Sequence, residues 1–322
     1  MKHKYPIYFK NFSEKNYINN CLNRYGVAVM KKLIDKKTML KVKTKATKFL
    51  NQPRMLSAAS CVYPKYSDIY KKNPNNLKTP NWLPKKYMNI FERGELKQPT
   101  GEMSKQVDRK ELKKGYKHYK NLTNSIEVID SLINFPEIIK IVFNENGIEV
   151  AENFLKSKAY LGYVALRCHF NNNLPVNDFN LMHTDGRTKV TRPSNKLLKI
   201  LVPFHLKNRE QIEFGQMLLK RNKFKNKDYY RLQYTKLSEW PRKLRKLFIR
   251  PKVLSRDAYF IDPDDFFHNA AKPKKLRIML YIVYIKSGSY MTSKTKKVRM
   301  KKSSFNKLSN KQKSFGKYIT LV

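Results

Sequence analysis

From Tyr160 to Ile285 the chain runs as short apolar segments separated by polar loops: YLGYVALRCHF, FNLMH, LLKILVPFHL, FGQMLLK, DYYRLQY, DAYFID and IMLYIVYI. Segments of this length, rich in β-branched and aromatic residues and bounded by turn-forming clusters, read as strands. Their regular spacing suits a sandwich or barrel. Upstream the pattern changes. A short helix opens residues 12–50, followed by the strand GVAVM and a basic helix that starts at the N-cap Asp35 and runs to about Phe49. Further helices are expected at Ser125 to Leu132, at Pro136 to Asn144, where the proline suits a first helical position, and from Gly147 to about Lys156. Residues 51–100 hold six prolines and little periodicity, which reads as long loops across the mouth of a site or as an irregular packing arm. No internal repeat or coiled-coil heptad is visible.

The chemistry-bearing residues fall inside the strand region. His183-Thr184-Asp185 places two ligand types two residues apart, so on an extended strand both side chains point to the same side. His268 follows, and nine residues later Arg277 stands in the apolar run LRIMLYIVYI. Two imidazoles and one carboxylate can occupy one face of an octahedral Fe(II) and leave the opposite face open. A guanidinium on a buried strand can hold a carboxylate by two parallel hydrogen bonds. The competing reading of His183 is a plain turn residue, because Asp185-Gly186 follows it. Context favours ligation: RDAYFIDPDDFFHNAAKPKKLRIMLYIVY supplies a strand, an acidic turn, a third histidine, a short loop and the strand carrying the arginine.

With these motifs the chain resembles the Fe(II)/2-oxoglutarate-dependent dioxygenase superfamily, nearest to its phytanoyl-CoA-hydroxylase-like branch. YGVAVMKKLID (Tyr25 to Asp35) is similar to the N-terminal strand and helix of that branch. RDAYFIDPDDFFHNA is similar to its stretch of Gly-Asp, apolar strand, proline and histidine, with Arg256-Asp257 where Gly-Asp is usual. The resemblance implies an α+β fold: a double-stranded β-helix (jelly roll) with helices packed on one face. It implies Fe(II) held by His183, Asp185 and His268, with 2-oxoglutarate as cosubstrate anchored through its far carboxylate by Arg277. No catalytic residue is expected beyond the metal ligands. Lys274 and Lys275 are poorer anchors because they precede the strand. The implied activity is hydroxylation with O2 as oxidant, on a small-molecule or lipid or glycan substrate. Asp185, rather than a small residue at that position, argues against the halogenating relatives. The step of 83 positions from Asp185 to His268 exceeds the gap in compact members and implies an insertion.

One domain is expected over residues 1–288. It would comprise a helical and loop region at 12–157 and a jelly-roll core at 158–288 interrupted by an insertion at 206–255, and a polar, Lys-rich tail would follow at 289–322. Three cysteines (Cys21, Cys61, Cys168) without metal-like spacing point to a reducing compartment. The absence of an apolar leader or span points to the cytoplasm, with peripheral membrane contact as the variant. The charge is the unusual quantity, because 69 Lys and Arg against 24 Asp and Glu leave a net +45. Such a field attracts polyanions, whether nucleic acid or an anionic membrane surface. The rival reading is thus a non-enzymatic polyanion-binding protein on a degenerate oxygenase fold. RNKFKNKDYYRLQY and WPRKLRKLFIRPK, in the insertion, interleave cations with rings as single-strand binders do. The alternative there, weighted more heavily, is that the rings pack inward and the lysines solvate.

Overall fold

In a computed structural model of the chain, the apolar segments become the strands of two facing sheets. The description covers residues 7–57, 61–62, 105–106, 109–172, 182–185, 196–204, 214–224, 232, 236–254, 256–287 and 298–322. The larger sheet has eight strands. They lie in the order β1 (Tyr8–Phe9), β2 (Val27–Met30), β11 (Ala258–Ile261), β8 (Leu197–Pro203), β13 (Arg277–Lys286), β7 (Ala159–His169), β6 (Ser125–Val128) and β3 (Leu56–Ser57). The smaller sheet is β10 (Phe248–Ile249), β9 (Phe214–Lys220) and β12 (Phe266–Ala270), extended by a bridge from His183 to His268. In chain order β7, His183, β8 and β9 alternate between the sheets, as do β10, β11, β12 and β13. That is the crossing pattern of a jelly roll. Short pairs also join β4 (Cys61–Val62) to β5 (Lys105–Gln106), and β14 (Arg299–Met300) to β15 (Thr320–Leu321).

Antiparallel register fixes which side chains share a face, since directly opposed residues point the same way and the period is two. Ile278, Leu280, Ile282 and Tyr284 of β13, with Leu198, Ile200 and Val202 of β8, enter the main core with the helices. These include α1 (Lys15–Tyr25), α2 (Lys36–Phe49) and α3 (Glu145–Leu155). Asp35 caps α2 by accepting from Thr38 N at 2.7 Å, as its position predicts. Gly26 ends α1 with φ +72, and a Cβ there would lie 2.4 Å from the Phe266 ring, so glycine is needed for both backbone and contact. The opposite face of the sheet looks at the smaller sheet. Its β2–β11–β8 half is apolar: Val27, Val29, Tyr259, Ile261, Leu201 and Met279 pack with Val253, Ile249 and Ala270. Its β13–β7–β6 half is polar, and this division positions the site.

Two expectations need correction. Ser125–Val128 is a strand rather than the start of a helix: its alternation sends Ile126 and Val128 to the helical core and Glu127 to the other face, opposite Arg167. His268 lies on a strand, as expected for a third ligand: FFHNA is β12, which pairs with β9 on one side and His183 on the other. The C-terminal segment is basic but folded from Val298 onward, because apolar residues recur among its lysines. Val298, Met300 and Phe315 are buried in the main core, and α4 (Asn310–Phe315) carries a full capping box between Ser309 and Gln312. Of the loop reading of residues 51–100, only 51–57 and 61–62 are described, carrying β3 and β4; the rest, with most of DYYRLQY and FNLMH, lies outside the described residues.

The insertion builds a core of its own on the outer side of the smaller sheet. Trp240, Leu232, Met217, Met182 and Phe267 are buried together, with the Trp240 and Phe267 rings edge-to-face at 4.9 Å. The indole therefore braces the strand that carries His268, and of the two readings of the interleaved rings this residue follows the inward one. Trp240→Ala should lower unfolding free energy by about 3–5 kcal/mol, the usual cost of truncating a buried Trp to alanine. Urea unfolding checks this; a midpoint equal to wild type would mean that the ring contributes nothing to the fold.

Candidate metal centre

The centre begins with two backbone hydrogen bonds. His183 N donates to His268 O at 3.0 Å and His268 N to His183 O at 2.8 Å, so the residues oppose each other and their side chains share a face. Their ring centroids are 4.4 Å apart. Thr184 turns away and is fully buried, and Asp185 returns to the face of His183, as the two-residue period requires. Asp185 N is anchored to Pro263 O at 2.7 Å. The other carboxylates of the acidic turn serve the backbone. Asp262 Oδ1 accepts from Asp264 N and Asp265 N, and Asp264 Oδ2 accepts from Leu197 N.

His183, Asp185 and His268 each offer one ligand atom, all within 4.8 Å of one another, and they form the one such cluster among the described residues. Asp185 Oδ1 lies 3.8 Å from Nε2 of both histidines. Bonds of about 2.1 Å at right angles put neighbouring ligand atoms about 3 Å apart, so a small inward movement closes the set on an ion. The donors are those of a facial 2-His-1-carboxylate site, and three protein ligands leave positions open. Burial, then the neighbouring His183, pushes the His268 imidazole down to about 3, so it stays in the neutral form that ligation needs. Burial alone would raise the Asp185 carboxyl. The Lys199 ammonium, then the two imidazoles, overcome that and hold it well below the usual carboxylate range.

Arg277 is the first residue of β13, 5% exposed, and its Nη1 donates to Ala271 O at 3.0 Å. The guanidinium thus lies against the turn that leaves the strand of His268. Lys274 and Lys275, by contrast, are exposed. Register places Arg277 in a row with His169 and Ser125, and the next row on that face holds Met279, Arg167 and Glu127. Sequence reasoning missed this polar half-face. From sequence His169, on the strand before the HTDG turn, could face the site, with core or surface placement favoured over that; it is buried on the inner face, with Nε2 2.9 Å from Tyr281 Oη. Arg167 Nε donates to Glu127 Oε1 at 2.7 Å, Tyr163 Oη reaches the same oxygen, and the Arg167 guanidinium lies 4.9 Å from the Tyr281 ring centre. The signal was present as parity, because Tyr163, Arg167 and His169 lie an even number of residues apart on one strand. Lys199 of β8, which sequence reasoning offered only as an alternative cation for 2-oxoglutarate, is ion-paired with Asp185. His118 pairs with Glu111 away from it, and His205 lies outside the described residues.

The sequence matches no protein-family model and no curated protein. Among solved structures the chain is similar to the non-heme alpha-ketoglutarate-dependent epimerase SnoN from nogalamycin biosynthesis. Identity is 10%, coverage 86% of this chain and 85% of that one, and the TM-score 0.46. SnoN has also been solved in complex with Fe3+, alpha-ketoglutarate and nogalamycin RO, with TM-score 0.48 at the same identity and coverage. EctD from S. alaskensis, in its apo form, is 12% identical over 83% of this chain and 75% of that one, with TM-score 0.42. No helix among the described residues is long and apolar enough to cross a membrane.

Proposed function

We propose that this chain is an Fe(II)- and 2-oxoglutarate-dependent oxygenase that hydroxylates a small molecule. The observation that carries the reading is the meeting of His183, Asp185 and His268 within 4.8 Å, with buried Arg277 against the turn beyond His268. His183 and His268 would ligate through Nε2 and Asp185 through Oδ1. Arg277 would hold the far carboxylate of 2-oxoglutarate, where burial makes a charged bidentate contact stronger than at the surface. Bound there, iron and 2-oxoglutarate supply an oxidant for C–H bonds, with succinate and CO2 as by-products. The half-face of Glu127, Tyr163, Arg167, His169 and Tyr281 offers polar groups to orient a substrate. Their mutual hydrogen bonds fix those groups beforehand, which lowers the ordering cost of binding.

The degenerate-fold reading sits poorly with a complete ligand set. The test is anaerobic reconstitution, which should give about one Fe(II) per chain, followed by assay of succinate formed from 2-oxoglutarate. Arg277→Leu keeps apolar bulk on the strand and removes the anchor. It should weaken 2-oxoglutarate binding roughly ten- to a hundredfold, equivalent to about 1.5–3 kcal/mol for a charged hydrogen bond, with Fe(II) stoichiometry unchanged. Unaltered 2-oxoglutarate dependence would remove Arg277 from the role.

A further inference from the structure

Asp185 divides its two carboxylate oxygens between different partners. Oδ1 faces the histidines, 3.8 Å from Nε2 of each. Oδ2 is ion-paired with Lys199 Nζ. Lys199 comes from the opposite sheet, where its immediate register neighbours are apolar: Val283 on one side, with Tyr163 beyond it, and Ile261 and then Val27 on the other. Its neighbours on the same strand face, Leu197 and Leu201, are buried hydrophobics. A lysine set into such a row places its ammonium at the end of a long apolar stem, and the stem here delivers it to one oxygen of one carboxylate.

A carboxylate with both oxygens available can bind a cation through one or both. When both bind, it takes two coordination positions. With one oxygen held by an ammonium, only the other is left. We propose that Lys199 is a positioning residue of the metal centre: by holding Asp185 Oδ2 it commits the carboxylate to bind a divalent ion through Oδ1 alone and keeps a further coordination position open. The inference rests on reading the cluster as a metal centre, but not on the identity of the cosubstrate.

The sign of the effect separates this role from simple structural support. Lys199 places a positive charge beside a site for a dication, so its charge opposes metal binding while its hydrogen bond selects the binding mode. A residue that merely propped up the site would, on removal, loosen the metal. Removing Lys199 should tighten it.

The experiment titrates Co(II) into the full-length wild type and into Lys199→Met, Lys199→Gln and Lys199→Arg, reading affinity together with the visible absorption that reports cobalt coordination. Lys199→Met, with neither charge nor donor, should bind Co(II) on the order of tenfold more tightly and show a spectrum changed from wild type. Lys199→Gln keeps a donor without charge, so it should bind more tightly with a spectrum close to wild type. Lys199→Arg should resemble wild type in both. Looser or unchanged Co(II) binding in the Met and Gln variants overturns the proposal, as does a wild-type spectrum in Lys199→Met. If Lys199→Met does not fold, the Gln and Arg variants decide the sign alone. Failure of wild type to bind Co(II) would instead defeat the metal-centre reading itself. Intact Co(II) behaviour without 2-oxoglutarate turnover would leave this inference standing and sink the oxygenase assignment.

Discussion

Asp185→Ala should abolish Fe(II) binding and 2-oxoglutarate turnover while leaving the fold in place. The carboxylate would supply the one oxygen ligand of the proposed set, and residues that only hydrogen-bond to ligands already change metal affinity by about 10–100-fold. Loss of a ligand should therefore exceed about a hundredfold. The backbone anchors beside it, His183 N to His268 O and Asp185 N to Pro263 O, do not involve the side chain and should persist. Anaerobic Fe(II) titration with a parallel thermal melt checks both halves. A variant that keeps wild-type iron affinity would show that the carboxylate is no ligand, however well it is placed.

The second large effect concerns the C terminus. Truncation after Lys297 removes Val298, Met300 and Phe315 from the main core. At about 1.5–3 kcal/mol for each buried apolar side chain, the loss is roughly 5–9 kcal/mol, comparable to the whole stability of many domains. The Phe315 ring packs against Tyr284 at 5.1 Å and meets Phe143 edge-to-face at 5.6 Å, and Gln312 Nε2 donates to Phe143 O at 2.7 Å. The truncated chain should unfold at far lower urea, or accumulate insoluble. Phe315→Ala should reproduce about 3–5 kcal/mol of the loss. Had the segment been a solvated tail, both changes would be silent.

The contrast between these two regions shows what a sequence exposes and what it hides. His183, Asp185 and His268 were legible because ligand chemistry restricts residue type and strand geometry restricts spacing. The jelly-roll strands were legible because their apolar runs are long and regularly punctuated. The C-terminal segment was not, since its lysines dominate the composition and its apolar anchors are widely separated. SIEV at Ser125–Val128 is too short for a period to declare itself, and its pairing with β7 and β3 makes it a strand. Lys199 illustrates the deepest limit. LLKILVP shows a lone lysine in an apolar strand, and nothing local says that its ammonium will meet a carboxylate fourteen positions earlier, on the facing sheet. Such partnerships are fixed by how two sheets stack, which is a property of the whole chain.

The paired backbone hydrogen bonds between His183 and His268 carry one more consequence. The residues are 85 positions apart, so an ion gripped by both rings acts as a cross-link closing a long loop, inside which the insertion and its Trp240 core lie. Closure entropy grows only with the logarithm of loop length, so each doubling of the intervening chain costs only about 0.6 kcal/mol. The stretch between the two histidines can therefore lengthen, shorten or acquire a new surface at little cost to the grip on the ion. Evolution can rewrite what surrounds this centre while the two residues that would clasp an ion stay where the sheet puts them.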